Sequence, residues 1–331
     1  MQMRKFGRTG LEVSVLGFGC GAVGGLMTGG APADQERTVA RALELGVNYF
    51  DTAALYGNGR SEVNLGRVLA KLKPDVIVGT KVRIADQTNG NIAGAIAAGL
   101  EESLKRLGRD RVDLFQLHNA ITSDGRASTL SLAQVLEQAV PALESLRQAG
   151  KIRFFGITAT GDTQPLHQLL ESGTIHSAQI VHNMLNPSAG FGLPKGYPAQ
   201  NYNRFLEKAM AHGVGTIGIR ALAGGALSGE ATRHPIASPP PDPIGSGRSY
   251  DNDLARARRL LPLVQEGHAA SLVEAAVRFA IVPPGLSTML IGIATPEQFE
   301  TAAQAIAKGP LPPAALARLA ELQTGFAGEP R

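Results

Sequence analysis

The sequence of 331 residues predicts a closed barrel of eight parallel strands wrapped by helices, a (β/α)8 TIM-barrel fold. Three observations carry the prediction. Apolar strand-like runs alternate with helical windows along the chain, and this alternation makes a parallel sheet. It repeats eight times rather than five or six, which favours closure over an open, doubly wound sheet. Side chains able to move protons fall at the carboxyl ends of several strand-like runs, where such barrels build their sites.

In chain order, the strand-like runs occupy 13–18, 47–51, 76–81, 112–118, 153–158, 178–183, 215–220 and 288–291. Helical windows with apolar residues at three- and four-residue spacing occupy 34–45, 61–72, 91–107, 132–149, 164–172, 201–212, 271–281 and 296–306. A final helix is expected over 312–326. Two long loops break the rhythm, 187–200 after the sixth strand and the proline-rich 228–253 after the seventh. Both leave from the face that carries the reactive side chains, so they read as lids or walls, or else as plain surface excursions. No linker or repeat divides the chain, and 1–331 reads as one domain.

Composition narrows the function. Lys and Arg number 32 against 28 Asp and Glu, a net charge of +4 without a strongly basic run. Arg256, Arg258 and Arg259 cluster on one expected helix and read as a solvated face, so no nucleic-acid partner is expected. The absence of a leader and of a long apolar run points to a cytoplasmic chain with no membrane segment. Cys20 is the sole cysteine, which precludes an internal disulfide, fits a reducing compartment and reads as a packing residue. No Cys/His spacing suggests a metal site. The run from Gly19 through Gly21 to Gly24 matches a dinucleotide fingerprint, but no helix is expected to open at its third glycine, and Gly213, Gly215 and Gly218 match the same pattern. The first run therefore reads as a loop whose Gly21 lets a cofactor approach the backbone.

The reactive side chains are Asp51 and Tyr56 after the second strand, Lys81 at the end of the third and His118 at the end of the fourth. A tyrosine with its ordinary pKa near ~10 is a poor acid or base at neutral pH. An ammonium stabilises its phenolate, a carboxylate holds the ammonium charged, and an imidazole orients a substrate oxygen. Any one of these residues alone reads as structural. All four at strand ends read as a proton-transfer site.

Phe50, Asp51, Thr52, Ala53, Tyr56 and Gly57, then Thr80 with Lys81, then Leu117, His118 and Asn119, resemble the signature of the aldo-keto reductase family. The opening residues 5–14 resemble its amino-terminal hairpin, and similarity continues to 295–298. The resemblance implies catalysis by Asp51, Tyr56, Lys81 and His118. It also implies a nicotinamide cofactor across the carboxyl face, met by Gly21, Asp51, Thr158, Gln179, Arg220, Leu222, Gly224, Gly292 and Gln298. Gln179 takes the carboxamide, and Arg220 faces a phosphate or else forms a salt bridge at the barrel rim. The family's nicotinamide-stacking tyrosine is absent from 219–225, so stacking there is expected to be aliphatic or to come from elsewhere. NADP is the family expectation. NAD is a serious alternative, because the last strand–helix loop, 292–298, carries Glu297 and no cation. The substrate is a small carbonyl compound or its alcohol. Asn119 and His182 read as polar edges for a sugar-like molecule or else as local backbone hydrogen-bonding groups, and Asn183 reads as the latter. The alternatives are a nicotinamide-binding subunit of a membrane channel and a barrel lyase or isomerase using the same side chains.

Overall fold

The computed structural model describes residues 1–85, 91–126 and 128–330. Eight strands form the closed barrel: β1 (Leu16–Gly19), β2 (Tyr49–Asp51), β3 (Ile77–Val82), β4 (Val112–Leu117), β5 (Ile152–Thr158), β6 (Ser177–Val181), β7 (Gly215–Ile219) and β8 (Thr288–Gly292). Each pairs in parallel with its neighbours in sequence, and β8 pairs with β1 to close the ring. Eight helices follow the strands in turn: α1 (Pro32–Glu44), α2 (Arg60–Leu72), α3 (Ile92–Leu107), α4 (Val140–Gln148), α5 (Thr163–Glu171), α6 (Phe205–Ala211), α7 (Leu272–Ala280) and α8 (Pro296–Ala307). The side chains of Asn91, Ser271 and Thr295 cap α3, α7 and α8 by accepting first-turn amides. A last helix, Pro313–Thr324, packs on the outside.

Three expected elements differ in detail. The run 13–18 divides into Glu12–Ser14, which pairs antiparallel with Met3–Lys5, and barrel strand β1. The break falls where the Ser14 amide and hydroxyl turn to Asn48 Oδ1 and Leu16 O. The window 201–212 becomes helical only at Phe205, because Asn201 Oδ1 accepts the Asn203 amide and Asn203 and Arg204 adopt left-handed backbone. The window 132–149 contains a π-turn, Val135–Ala139, just ahead of Pro141. That proline has no amide to donate, and the wider turn takes up the irregularity.

Side chains alternate along each strand, so Tyr49 and Asp51 on β2 and Ile77, Gly79 and Lys81 on β3 face the barrel interior. The interior is filled by Tyr49, Ile77, Leu114, Ile217 and Leu290, with Phe6 and Val13 of the hairpin closing the amino-terminal end. Phe6 is fully buried against Tyr49, with ring centroids 6.4 Å apart. Gly215 admits the Phe6 ring, since a Cβ there would lie 2.8 Å from it. Phe6→Ala should therefore open a void under the barrel and cost about 3–5 kcal/mol of stability in denaturant unfolding. A loss within error of zero would show that the hairpin does not plug the barrel.

Candidate active site

The structure brings all four reactive side chains to the carboxyl end of the barrel. Lys81 Nζ is buried and forms an ion pair with Asp51 Oδ1. It also donates to Thr52 O at 2.8 Å and to the Tyr56 hydroxyl at 3.3 Å. The His118 ring stands edge-on to Tyr56, with centroids 5.8 Å apart and planes at 84°. Asp51 Oδ2 takes two further donors, Tyr49 Oη at 2.8 Å and Gln179 Nε2 at 2.6 Å. Tyr49 was not among the residues singled out by sequence, although its place two residues before Asp51 on one strand puts both side chains on the same face.

Burial decides which of these groups carry charge. Burial alone would depress Lys81, but Asp51 and Tyr56 outweigh it and hold the ammonium above its usual range. Burial pushes the Tyr56 phenol up, with Lys81 opposing and Asp51 reinforcing the shift. The ammonium therefore moderates the phenol without bringing it below its ordinary value. Burial, with the Lys81 and Arg83 charges, lowers His118 to about 3, so its imidazole is neutral at physiological pH. Cys20 is buried beside the site, and burial raises its thiol.

A cavity of about 710 Å³ opens onto Tyr56 and His118 and runs across the barrel mouth. Gly21, Asp51, Thr158, Gln179, Arg220, Leu222, Gly224, Gly292 and Gln298 all line it, as does Ile219. Two buried polar atoms at its wall, Thr158 Oγ1 and His118 Nδ1, have no protein partner. Arg220 has left-handed backbone, and among the described residues its guanidinium donates only to Asp242 O, at 3.4 Å. Among the described residues, no carboxylate lies within ion-pair distance of it. Gln298 Oε1 accepts the Ala294 amide, which leaves its amide nitrogen toward the cavity.

The two long loops differ. The 228–253 loop crosses the cavity and lines it with Ser228, Arg233, Ala237, Ile244 and Tyr250. Arg233 fastens it, donating to Gly224 O at 2.6 Å, Val23 O at 3.0 Å and Ser238 O at 3.0 Å. Loop 187–200 contributes no lining residue and instead supports its neighbour, the Gln200 amide donating to Gly245 O at 2.8 Å. Arg256 corrects the solvated-face reading. It is buried and bonds Ser246 O and the Glu329 carboxylate, tying that neighbour loop to the carboxyl tail. The expected polar edges at Asn119 and His182 are also corrected, whereas Asn183 makes the local backbone hydrogen bonds expected of it. Asn119 is spent on the Ile84 backbone and Asn183 on Leu185, Asn186 and Arg220 backbone groups. His182 is sealed between Phe191 and Phe279 at 5.9 and 4.9 Å. After the Gly19–Gly24 run only a single turn forms, Leu26–Gly29, before α1. Among the described residues no cluster of His, Cys, Asp and Glu is arranged to hold a metal ion, and no helix is long and apolar enough to cross a membrane.

The aldo/keto reductase family model matches residues 15–324. The chain belongs to the aldo-keto reductase family. It is a nicotinamide-dependent oxidoreductase of that family, acting between carbonyl and alcohol. It is 29% identical to an L-galactose dehydrogenase of Arabidopsis thaliana over 91% of this chain and 86% of that protein. It is 26% identical, over 89% of this chain and 85% of that protein, to a putative voltage-gated potassium channel subunit beta of Schizosaccharomyces pombe. The holo form of an aldo-keto reductase from Bacillus halodurans superposes with a TM-score of 0.72 at 25% identity, covering 99% of this chain and 96% of that one.

The buried histidines of this aldo-keto reductase make its stability depend on acid. His182 and His118 both titrate at about 3 in the folded state, depressed mainly by burial. An unfolded histidine titrates near ~6.5, so unfolding takes up protons between the two values. This contribution is intact above the unfolded value and is lost as pH falls below it, by up to about 1.4 kcal/mol per pH unit for each ring. His182→Phe, which keeps an aromatic ring in the stack, should flatten the decline in denaturant-measured stability between neutral and mildly acidic pH. An unchanged slope would place the acid sensitivity elsewhere.

Proposed function

We propose that the chain interconverts an aldehyde or ketone, sugar-like ones included, and its alcohol, with Tyr56 as proton donor in reduction and acceptor in oxidation. One observation carries the reading: a buried ammonium, Lys81, lies 3.3 Å from a phenol that borders a cavity large enough for a cofactor and a small substrate. The cofactor fit rests on the unpartnered Thr158 hydroxyl and on Gly21, where a Cβ would meet nothing nearer than the Tyr56 ring at 3.9 Å. Thr158 and Gln179 would hold the carboxamide and Ile219 would pack on the ring. Arg220, Leu222 and Gly224 would hold the phosphates, and Gly292 and Gln298 the adenosine end. When bound, the nicotinamide supplies or accepts the hydride at the carbonyl carbon.

The protein's own groups handle the proton. Tyr56 and His118 orient the carbonyl oxygen between them. Because burial holds the phenol protonated and the imidazole neutral at physiological pH, Tyr56 gives the proton while His118 only donates a hydrogen bond. The phenolate left on Tyr56 is stabilised by Lys81, which Asp51 and Thr52 O hold in place. In oxidation the same phenolate removes the hydroxyl proton.

NAD fits the adenosine end better than NADP. Glu297 opens α8 there, Arg37 pairs with Asp34 and Glu297, and Arg41 pairs with Glu300 and Glu44. The nearby cations are thus neutralised, and a 2′-phosphate would meet carboxylates instead. A second reading, a nicotinamide-binding channel subunit with little turnover, is favoured by the potassium-channel relative. Steady consumption of reduced nicotinamide with aldehydes or sugars would dismiss it.

Tyr56→Phe should lower turnover by ~10²–10⁴ while fluorescence titration shows undiminished cofactor binding. Wild-type rates for that variant on every carbonyl reduced would refute the assignment. NADH should bind at least about tenfold tighter than NADPH, a difference of about 1.4 kcal/mol, and Glu297→Arg should narrow the gap. Equal affinities would overturn the preference.

A further inference from the structure

We propose that Tyr49, a second buried phenol beneath the tetrad, is a positioning residue that sets the proton affinity of Tyr56 through Asp51. The inference rests on the assignment of Tyr56 as the proton carrier.

The barrel makes specific room for this phenol. Tyr49 lies on β2 two residues before Asp51, and Asp51 is paired in register with Gly79 of β3. The Tyr49 side chain rises inside the barrel to the level of that pair, and its hydroxyl donates to Asp51 Oδ2 at 2.8 Å. A Cβ at Gly79 would lie 2.7 Å from the Tyr49 hydroxyl, and one at Gly17 would lie 3.0 Å from its ring. Glycine inside a strand weakens it unless another group must approach closely. Here glycines on two strands, β1 and β3, border the same ring. Phe6 supports the ring from below, and Tyr49 has no exposed surface. A fully buried hydroxyl needs a partner, and this one shares with Gln179 the oxygen, Oδ2, of a carboxylate whose Oδ1 engages Lys81.

The consequence is electrostatic. Donation from Tyr49 draws the Asp51 charge toward the barrel interior, away from the Lys81 and Tyr56 side. Less negative potential then reaches the phenol, and the phenolate is easier to form. The charged and titratable groups that bear on Tyr56 are Lys81, Asp51, His118, Cys20, Tyr49 and Arg220. Of these, Tyr49 reaches it through a hydrogen bond to the carboxylate that holds Lys81.

The test follows the Tyr56 phenol by carbon NMR of ring-labelled tyrosine in the cofactor-free protein, together with the pH profile of alcohol oxidation. Tyr49→Phe should raise the Tyr56 titration by about half to one pH unit, a three- to tenfold loss of phenolate at a given pH. The oxidation profile should move by the same amount with KM for the alcohol unchanged. Gly79→Ala, whose methyl displaces the same hydroxyl, should move the titration in the same direction and serves if Tyr49→Phe does not fold. In an Asp51→Asn background, Tyr49→Phe should have no further effect on the titration. An unmoved Tyr56 titration in the folded variant, or an equal shift in the Asp51→Asn background, overturns the proposal. Failure of the Tyr56 assignment would show separately, as full turnover by Tyr56→Phe.

Discussion

A lysine ammonium with no exposed surface survives only where charge and hydrogen bonds replace the water it has lost. The Lys81–Asp51 pair, with side chains 0% and 3% exposed, is the constraint on which the rest of this barrel depends. Thr52 O and Tyr56 complete the hydrogen bonds of Lys81 Nζ, and Tyr49 and Gln179 those of Asp51 Oδ2. The pairing of β2 with β3 sets Asp51 beside Gly79, and Lys81, two residues further along β3, reaches the carboxylate from the same interior face. The hairpin with Phe6 seals the far end, so the pair is open to the cavity alone.

The same burial sorts the remaining groups. In a medium of low polarity a lone charge is costly and a paired one interacts strongly. Asp51 and Lys81 satisfy each other, while burial outweighs what Lys81 gives the Tyr56 phenol and keeps Tyr56 and His118 neutral. On the proposed mechanism, the phenol would keep its proton until a substrate oxygen arrives, next to a cation that would stabilise what remains. The loop across the cavity contributes to this low-polarity setting. Arg233 holds it to Val23 and Gly224, on the loops after β1 and β7.

The placement of Asp51, Lys81 and His118 was legible because each falls where an apolar strand-like run ends, and that of Tyr56 because it lies in the short loop that follows Asp51. The eight strand–helix units were legible for the same reason. What escaped depends on contacts distant in sequence. Arg233 reaches a carbonyl 210 residues away, and Arg256 bonds Ser246 O on one side and the Glu329 carboxylate of the tail on the other. His182 reads as a polar edge until Phe191 and Phe279 close over it. Tyr49 is a different case. Its period-two relation to Asp51 was present in the sequence, but the two glycines that admit its ring lie on other strands.

The most direct test of the buried-pair account is single-turnover hydride transfer in Lys81→Met, which keeps the side-chain length and removes the charge. The account predicts that cofactor affinity is retained while the transfer step slows by about a hundredfold or more, because the phenolate loses its counter-charge. A transfer rate equal to that of the unaltered protein would contradict it.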